Sequence, residues 1–381
     1  MKNARWPCIS DDLIAYRILP CLPTKDLVRL QCVSKSWRSL ILNDPYFARL
    51  QVAHARSRPA LLVITDKPEP SLYTADPNSV GFPKLCKQFD DQRYWHPPKI
   101  MASCKGIICV SLVSLSWDRM LLYVGNPVLN NWILLPPPFD DDPIVSIGLA
   151  VNEMESGVGY KLAVPFRRYD SDELVMEVSF KVLASAKGSW EISKEKVLTY
   201  SSPFWSFRYV TNVEGTLFWE HHEKAIWFDA KEERCGTLSL PSQFKYCKHR
   251  LGEWNGHLSF MTTENGEISI WSWNKSCWSK KLLLTIEAVA RENFHFFASL
   301  GLRMNLRNRK SESLEAILRR STVDILTFAA NFIIFEVNEK RICYDAITGK
   351  AWRISKNSIN RKSGLSYVNS LLKLTNTRVA E

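Results

Sequence analysis

The chain has 381 residues, and its 10 cysteines and 7 histidines are the side chains that could ligate a metal or attack an electrophile. No two cysteines stand in C-x-x-C spacing and the histidines are scattered. The adjacent His221 and His222 would point to opposite faces of a strand, so no metal site is expected. Cys104 and Cys109 fall on a strand-like run rather than in a ligand loop, and reduced, mostly buried thiols are the expectation. Three consecutive carboxylates, Asp140, Asp141 and Asp142, follow a proline run, as in a solvated loop. Neither a Gly-rich nucleotide loop nor a nucleophile elbow occurs. Without a catalytic residue or a cofactor to expect, the chain reads as a binding protein rather than an enzyme. Protein partners are commonly anchored by exposed aromatics and arginines on loops. Two loop-like stretches hold both: PFRRYDSDE, with Arg167, Arg168 and Tyr169, and SPFWSFRY, with Trp205, Phe207, Arg208 and Tyr209. Packing of the aromatics between β units and plain solvation of the arginines is the favoured reading of both stretches, with target binding the alternative.

The elements that would position such groups differ sharply along the chain. Residues 9–50 read as short amphipathic helices with their start signals intact. Ser10, with Asp11 and Asp12, can cap a first helix whose Leu13, Ile14 and Ile18 share a face while Asp12 and Arg17 stay wet; Cys21, Leu22 and Pro23 end it. Thr24 is placed to cap a second helix with Leu27 and Leu30 three apart, and Ser34 a third with Trp37, Leu40 and Ile41 at helical spacing. Asp44 and Pro45 start a fourth, because proline in the first turn loses no hydrogen bond. Some forty residues bury too little to stand alone, so this cluster needs a partner surface or a neighbouring domain.

The ordered run Leu13-Ile14, Ile18-Leu19, Leu22-Pro23, Leu27, Val33-Ser34-Lys35 and Trp37-Arg38 resembles an F-box. Family members usually open on Leu-Pro, where this chain has Ile9-Ser10. A three-helix cap serving only the chain's own fold is the alternative. The resemblance implies a module that docks on a Skp-type adaptor and through it on a cullin scaffold. It carries Ile9, Leu13, Leu22, Pro23, Val33 and Trp37 over as the adaptor side or its immediate support, with Leu22 and Pro23 at the interface and Trp37 in the core.

Beyond Arg56 the pattern turns to strands. Leu61 to Ile64 form a short apolar run, and six prolines between Pro68 and Pro98 then break regular structure, as in a segment wrapping a surface. From Met101 a unit of strand, turn, strand recurs: LLYVGNPVLNNWILLP, VSFKVLASAKGSWEIS, IWFDAKEERCGTLSLP, ISIWSWNKSCWSKKLLL and RICYDAITGKAWRIS. In four of these Trp132, Trp190, Trp278 or Trp352 opens the second strand; the third has Cys235-Gly236-Thr237 instead. A second recurrence, SCKGIICVS, VEGTLFWEH, WNGHLSFMT and FAANFIIFEV, precedes these pairs. One hairpin cannot bury its apolar face, but units stacked around an axis can, with tryptophans between blades. Blade-like units centre near residues 106–136, 146–193, 210–241, 251–284 and 325–354, and SLLKL from Ser370 is expected to pair with an N-terminal strand and close the ring. An open meander or a sandwich is the alternative.

This region is similar to the F-box-associated, Kelch-like domain of plant F-box proteins. The residues that carry the likeness are Ser103 to Cys109, Asn126-Pro127 with Trp132 and Leu135-Pro136, Gly215 to Trp219 with Phe228-Asp229 and Leu240-Pro241, and Tyr367 to Leu371. The Gly-Gly pair of ordinary Kelch repeats is absent. The expected fold is α+β by segregated domains: a three-helix F-box over residues 5–50, a loop-rich linker with a first strand over 51–100, and an all-β, propeller-like domain over 101–376, with a partly helical insertion near 287–317. The implied function is substrate recognition in a Skp/cullin/F-box ubiquitin ligase.

Charge and targeting bound the partners. The formal charge of +11 would suit nucleic acid, an acidic membrane surface or an acidic protein, but it is spread along the sequence, which disfavours the first two. Its densest piece, RMNLRNRK from Arg303 to Lys310 with Arg319 and Arg320 beyond, reads as a solvated basic insertion, with nuclear import as the alternative. The opening residues lack the apolar core of a secretory signal and no stretch is long and apolar enough to cross a bilayer. Nucleus and/or cytoplasm is the expected location. A nucleic-acid-binding regulator and, behind it, a propeller enzyme are the competing functions; copper-oxidase propellers need a His, Tyr and Cys constellation that is not evident here.

Overall fold

The structure is a computed structural model that describes residues 9–56, 60–64, 72–74, 98–114, 116, 120–138, 146–154, 157–168, 175–200, 207, 210–221, 223–241, 248–264, 266–299, 323–329, 331–337, 340–353 and 365–374. The chain opens on helix α1 (Asp11–Leu13), started by the Ser10 hydroxyl, which accepts from the Leu13 N–H at 3.4 Å. It continues as a π-helical stretch, Ile14–Ile18, and a 3-10 turn, Leu19–Cys21. Then come α2 (Thr24–Leu30), α3 (Lys35–Asn43) and α4 (Pro45–Ala55), which runs past the boundary expected at residue 50. Ser34 caps α3 by accepting from the Trp37 N–H at 3.1 Å. Asp44 caps α4 through Oδ1, which accepts from Tyr46 N at 2.8 Å and Phe47 N at 3.1 Å, while its Oδ2 accepts from the Tyr16 hydroxyl at 3.0 Å and ties the first helix to the fourth. Thr24 departs from expectation. Pro23 holds the cap position of α2, and the Thr24 hydroxyl instead donates to the carbonyl of Asn369 at the far end of the chain.

Strands β1 (Ala60–Ile64) and β2 (Leu72–Thr74) follow, and then, among the described residues, five four-stranded antiparallel units, the fourth and fifth meeting edge to edge at a parallel bridge between Glu253 and Ala329. The first holds β3 (Lys99–Cys104), β4 (Ile107–Val113), β5 (Met120–Asn126) and β6 (Asn131–Leu135); the second holds β7 (Gly148–Met154), β8 (Gly157–Arg168), β9 (Val175–Ala184) and β10 (Trp190–Tyr200). The third contains β11 (Val210–Val213), β12 (Thr216–His221), β13 (Lys224–Asp229) and β14 (Cys235–Ser239), and the fourth β15 (Lys248–Trp254), β16 (His257–Glu264), β17 (Glu267–Trp273) and β18 (Trp278–Thr285). Helices α5 (Ile286–Glu292) and α6 (Phe294–Ser299) intervene before the fifth, β19 (Val323–Ala329), β20 (Phe332–Val337), β21 (Lys340–Asp345) and β22 (Ala351–Arg353). They bury Ile286, Val289, Ala290 and Phe297 against the apolar residues of the fourth and fifth units, and residues 300–317 of the expected insertion lie outside the described residues.

Six inner strands close a ring: β3 packs beside β7, β7 beside β11, β11 beside β15, β15 beside β19, β19 beside β23 (Leu365–Tyr367), and β23 beside β3. The sixth sheet is built from both ends of the chain, in the order β2-β1-β23. Ring closure through a terminal strand is therefore as expected, but the strand is not. Ala60 pairs with Tyr367 and Leu62 with Leu365, whereas residues 368–374 leave the sheet and lie under the helices. Residues 65–71 and 75–97, which hold all but Pro98 of the prolines expected to wrap a surface, lie outside the described residues.

Turn chemistry explains the repeats. Lys105-Gly106, Glu214-Gly215 and Asn255-Gly256 each place two successive residues at positive φ between the first and second strands of a blade, as type I′ hairpins require. Between the third and fourth strands the side chains of Asn126, Asp229, Asn274 and Asp345 accept from backbone N–H groups two residues on. Trp132 lies over Gly125 on the neighbouring strand, where a Cβ would come within 2.4 Å of its ring. The third unit reverses the same pair: Trp227 lies over Gly236, so the tryptophan missing from its expected position has moved across the ladder. Trp190 donates to the Pro136 carbonyl and Trp278 to the Ser239 carbonyl, each joining its blade to the one before.

Candidate functional site

The helices have two faces. Leu19, Leu27, Ile41, Phe47, Ala48 and Val52 are buried in one continuous core with Met101 and Ala102 of β3, Ile107 of β4 and Leu371, Leu372 and Leu374 of the C-terminal segment. On the other side Ile9 is 58% exposed, Leu13 51% and Val33 63%, and Ile18 and Val28 are also open. All five fall within residues 9–33, a concentration of exposed large apolar side chains in one short stretch of chain. Of the six adaptor-side residues predicted, Ile9, Leu13, Pro23 and Val33 are thus exposed, while Leu22 and Trp37 are half-buried against the shared core. Trp37, expected in the core, is half-buried against it. Leu22 is partly taken up by the protein's own packing, which was not foreseen.

Beneath these helices lies a polar joint. The Gln51 side chain on α4 is almost fully buried; its Nε2 donates to Thr24 Oγ1 at 2.9 Å and to the Asn369 carbonyl at 3.1 Å, and its Oε1 accepts from the Leu371 N–H at 3.1 Å. From the propeller side, Asn126 Nδ2 donates to the carbonyls of Ser370 at 3.0 Å and Leu372 at 2.7 Å, and Asn131 Oδ1 accepts from the Leu374 N–H at 3.1 Å. Sequence reading missed this joint. Its one signal was a polar residue inside the apolar stripe of α4, between Ala48 and Val52.

The joint also orients the propeller. The segment 368–374 runs past the Lys105-Gly106 turn, the hairpin ends at Asn126 and Asn131, and Val158 at the start of β8, so the helices cover that end of the ring at the first two blades. Because strands alternate in direction, β8 finishes at Arg168, β9 begins at Val175, β10 finishes at Tyr200 and β11 begins at Val210 at the opposite end. Among the predicted target-binding residues, Arg167 is half-buried on β8, next to the strand's last residue, Arg168. Phe207 is a correction. It is 1% exposed and packs with Phe180, Trp219 and Phe228 in the core of the second and third blades, where an aromatic ring gains more from burial than from solvent. Tyr169, Trp205, Arg208 and Tyr209, and the side chain of Arg168, lie outside the described residues.

Burial pushes the thiols of Cys104 and Cys109 up, and that of Cys235 up to about 11, which keeps them protonated and poor nucleophiles. Burial likewise raises Tyr160 to about 12. No group of His, Cys, Asp or Glu among the described residues could hold a metal ion. No helix is long and apolar enough to cross a membrane among the described residues.

Residues 82–304 match the family described as F-box protein At3g26010-like, beta-propeller, and residues 13–50 match the F-box-like family. The chain belongs to the At3g26010-like F-box propeller family. The F-box propeller chain is 25% identical to the putative F-box protein At1g47790 of Arabidopsis thaliana over 71% of its own length and 70% of that relative. It is 26% identical to the Arabidopsis F-box protein At3g26010, over 55% of its length and about half (48%) of the relative's. The putative Arabidopsis F-box/kelch-repeat protein At1g15680 matches at 29% over 49% of the chain and 46% of the relative, so the Kelch likeness is the more partial. An F-box in general binds a Skp-type adaptor, and Ile9, Leu13, Ile18, Val28 and Val33 are large apolar side chains that this one leaves in water.

Proposed function

We propose that this F-box propeller protein is the substrate-recognition subunit of a Skp/cullin/F-box ubiquitin ligase. The observation that carries the reading is the divided burial of one helical module: Leu27 and Phe47 are sealed into the chain's own core while Leu13 and Val33 are left open, as are Ile9, Ile18 and Val28. A helix cluster that existed only to cap the propeller would have no use for that open set. The adaptor covers it, a cullin scaffold follows, and the propeller holds the target protein. Nucleus and/or cytoplasm is the compartment that goes with this role.

The protein contributes proximity. Holding a target lysine near a ubiquitin-charged carrier replaces a rare encounter with a high effective concentration, so no catalytic residue is needed in the chain itself. Targets approach from the end of the ring remote from the helices. Blade two supports this: β8 has 12 residues and β10 has 11, against 6 and 5 for β12 and β14, so its strands reach farther toward that end and carry Arg167 and Arg168 there.

The test is capture of a purified Skp-type adaptor by the full chain carrying Leu13→Asp and Val33→Asp. Burying two carboxylates at the contact should weaken capture by at least about 2 kcal/mol, or about 30-fold, while circular dichroism stays native because neither side chain is part of the core. Undiminished capture would remove the assignment of this face.

A further inference from the structure

We infer that residues 368–374 clamp the F-box helices and the propeller at one fixed angle, with Gln51 as the positioning residue that reads the clamp. The role in ubiquitin transfer rests on the ligase reading; the clamp itself does not. A flexible tether between adaptor-binding and target-binding parts would let the target wander, whereas a rigid bridge keeps its lysines within a narrow zone.

The geometry is that of a lock rather than of incidental packing. A buried primary amide has two donors and one acceptor oxygen to satisfy, and Gln51 satisfies all of them: Thr24 Oγ1 and the Asn369 carbonyl take its two N–H groups, and the Leu371 N–H reaches its oxygen. The Leu371 N–H can only donate, so it fixes which end of the amide is oxygen. Thr24 closes the circuit by donating to the same Asn369 carbonyl at 3.1 Å. On the opposite side of the segment, Asn126 grips two successive non-adjacent carbonyls, Ser370 and Leu372, with one amide nitrogen. Leu371, Leu372 and Leu374 add side chains to the single core shared by helices and blades. Ser370 is fully buried against Gly106, where a Cβ would come within 2.2 Å of its hydroxyl oxygen, so the turn and the segment fit only with glycine there. The segment follows directly on β23, the strand that closes the ring. Ring closure and seating of the F-box are therefore completed by the same last stretch of chain.

The experiment measures the angle directly. Spin labels are placed on the full-length chain through unnatural amino acids at exposed Arg29 on α2 and exposed Lys187 in the β9–β10 turn, and pulsed electron paramagnetic resonance records their distance distribution. Wild-type protein should give one narrow peak. Gln51→Leu keeps the apolar packing but removes all three hydrogen bonds, and should at least double the width or add a second peak, with adaptor capture changed less than about 3-fold because Ile9, Leu13 and Val33 are untouched. Truncation after residue 367 should broaden it further; should that variant fail to fold, Gln51→Leu still decides. A Gln51→Leu distribution as narrow as wild type overturns the clamp, as does a narrow distribution with capture lost, which would make Gln51 a support of the helices alone. Failure of wild-type protein to capture adaptor would sink the ligase reading, and the distances would still rule on the clamp.

Discussion

The propeller and the helical module dispose of their apolar side chains in opposite ways. In the propeller, large apolar residues left in water include Leu134, Ile192, Leu198 and Leu283, which stand on the outer strands of three blades. In the helices Ile9, Leu13, Ile18, Val28 and Val33 fall within one short stretch of chain. A ring completes itself, because its last strand pairs with its first and every inner strand has two neighbours. The short helices carry both buried and exposed large apolar residues, and among the described residues the chain covers only the first set. The difference is that one region closes on itself while the other keeps apolar surface in water.

The comparison can be broken most forcefully at the shared core. Phe47→Ala removes a fully buried ring from the seam between α4 and the propeller and should cost about 3–5 kcal/mol in chemical denaturation, against within about 0.5 kcal/mol for Leu198→Ala on an outer strand. Equal small effects would mean that the seam is not a core. Gly106→Ala should come next. It pays the positive-φ cost of about 1–2 kcal/mol and also meets Ser370 and the Val368 carbonyl, so it should lose at least about 2 kcal/mol, whereas Gly256→Ala, with similar φ and open space around it, should lose only the first part. The exposed helix face should be nearly neutral to fold: Leu13→Ser and Val33→Ser should each shift stability by less than about 0.5 kcal/mol, a result opposite in kind to that at Phe47.

The smallest effect is a pH dependence confined to the propeller. Burial by itself would raise the Asp345 carboxyl, but hydrogen bonds from the Thr348 hydroxyl, the Ile347 N–H and Asn331 together hold it below its usual range. A depressed folded pKa means a stabilisation present above the unfolded value and lost as pH falls through the folded one. Asp345→Asn should therefore flatten the acid limb of the stability curve below about pH 4 while leaving neutral adaptor capture alone. An unchanged acid limb would show that this turn does not feel its carboxylate.

Much of this arrangement was legible in advance, and for local reasons. Ser34 and Asp44 announced their helices because a cap is a contact between residues two or three apart. The Lys-Gly, Glu-Gly and Asn-Gly turns announced hairpins because only certain residues tolerate positive φ. The misses share a different character. Thr24 looked like a cap and became a cross-chain donor; Phe207 looked like a loop anchor and became core; Ser370 looked like the closing strand and became part of the joint. Each has local chemistry suited to both roles, and residues far away in sequence chose between them.

Sequence alone thus determined the turns, the caps, the recurrence of blades and the presence of an F-box in front of them, since all of these follow from neighbours along the chain. Tertiary structure alone decided which end of the ring the helices cover, which apolar residues stay open and that Gln51 meets Asn369 and Leu371 from more than 300 positions away. Contacts of that range depend on how the ring closes in space, and closure is a property of the sum of the blades that no single stretch encodes.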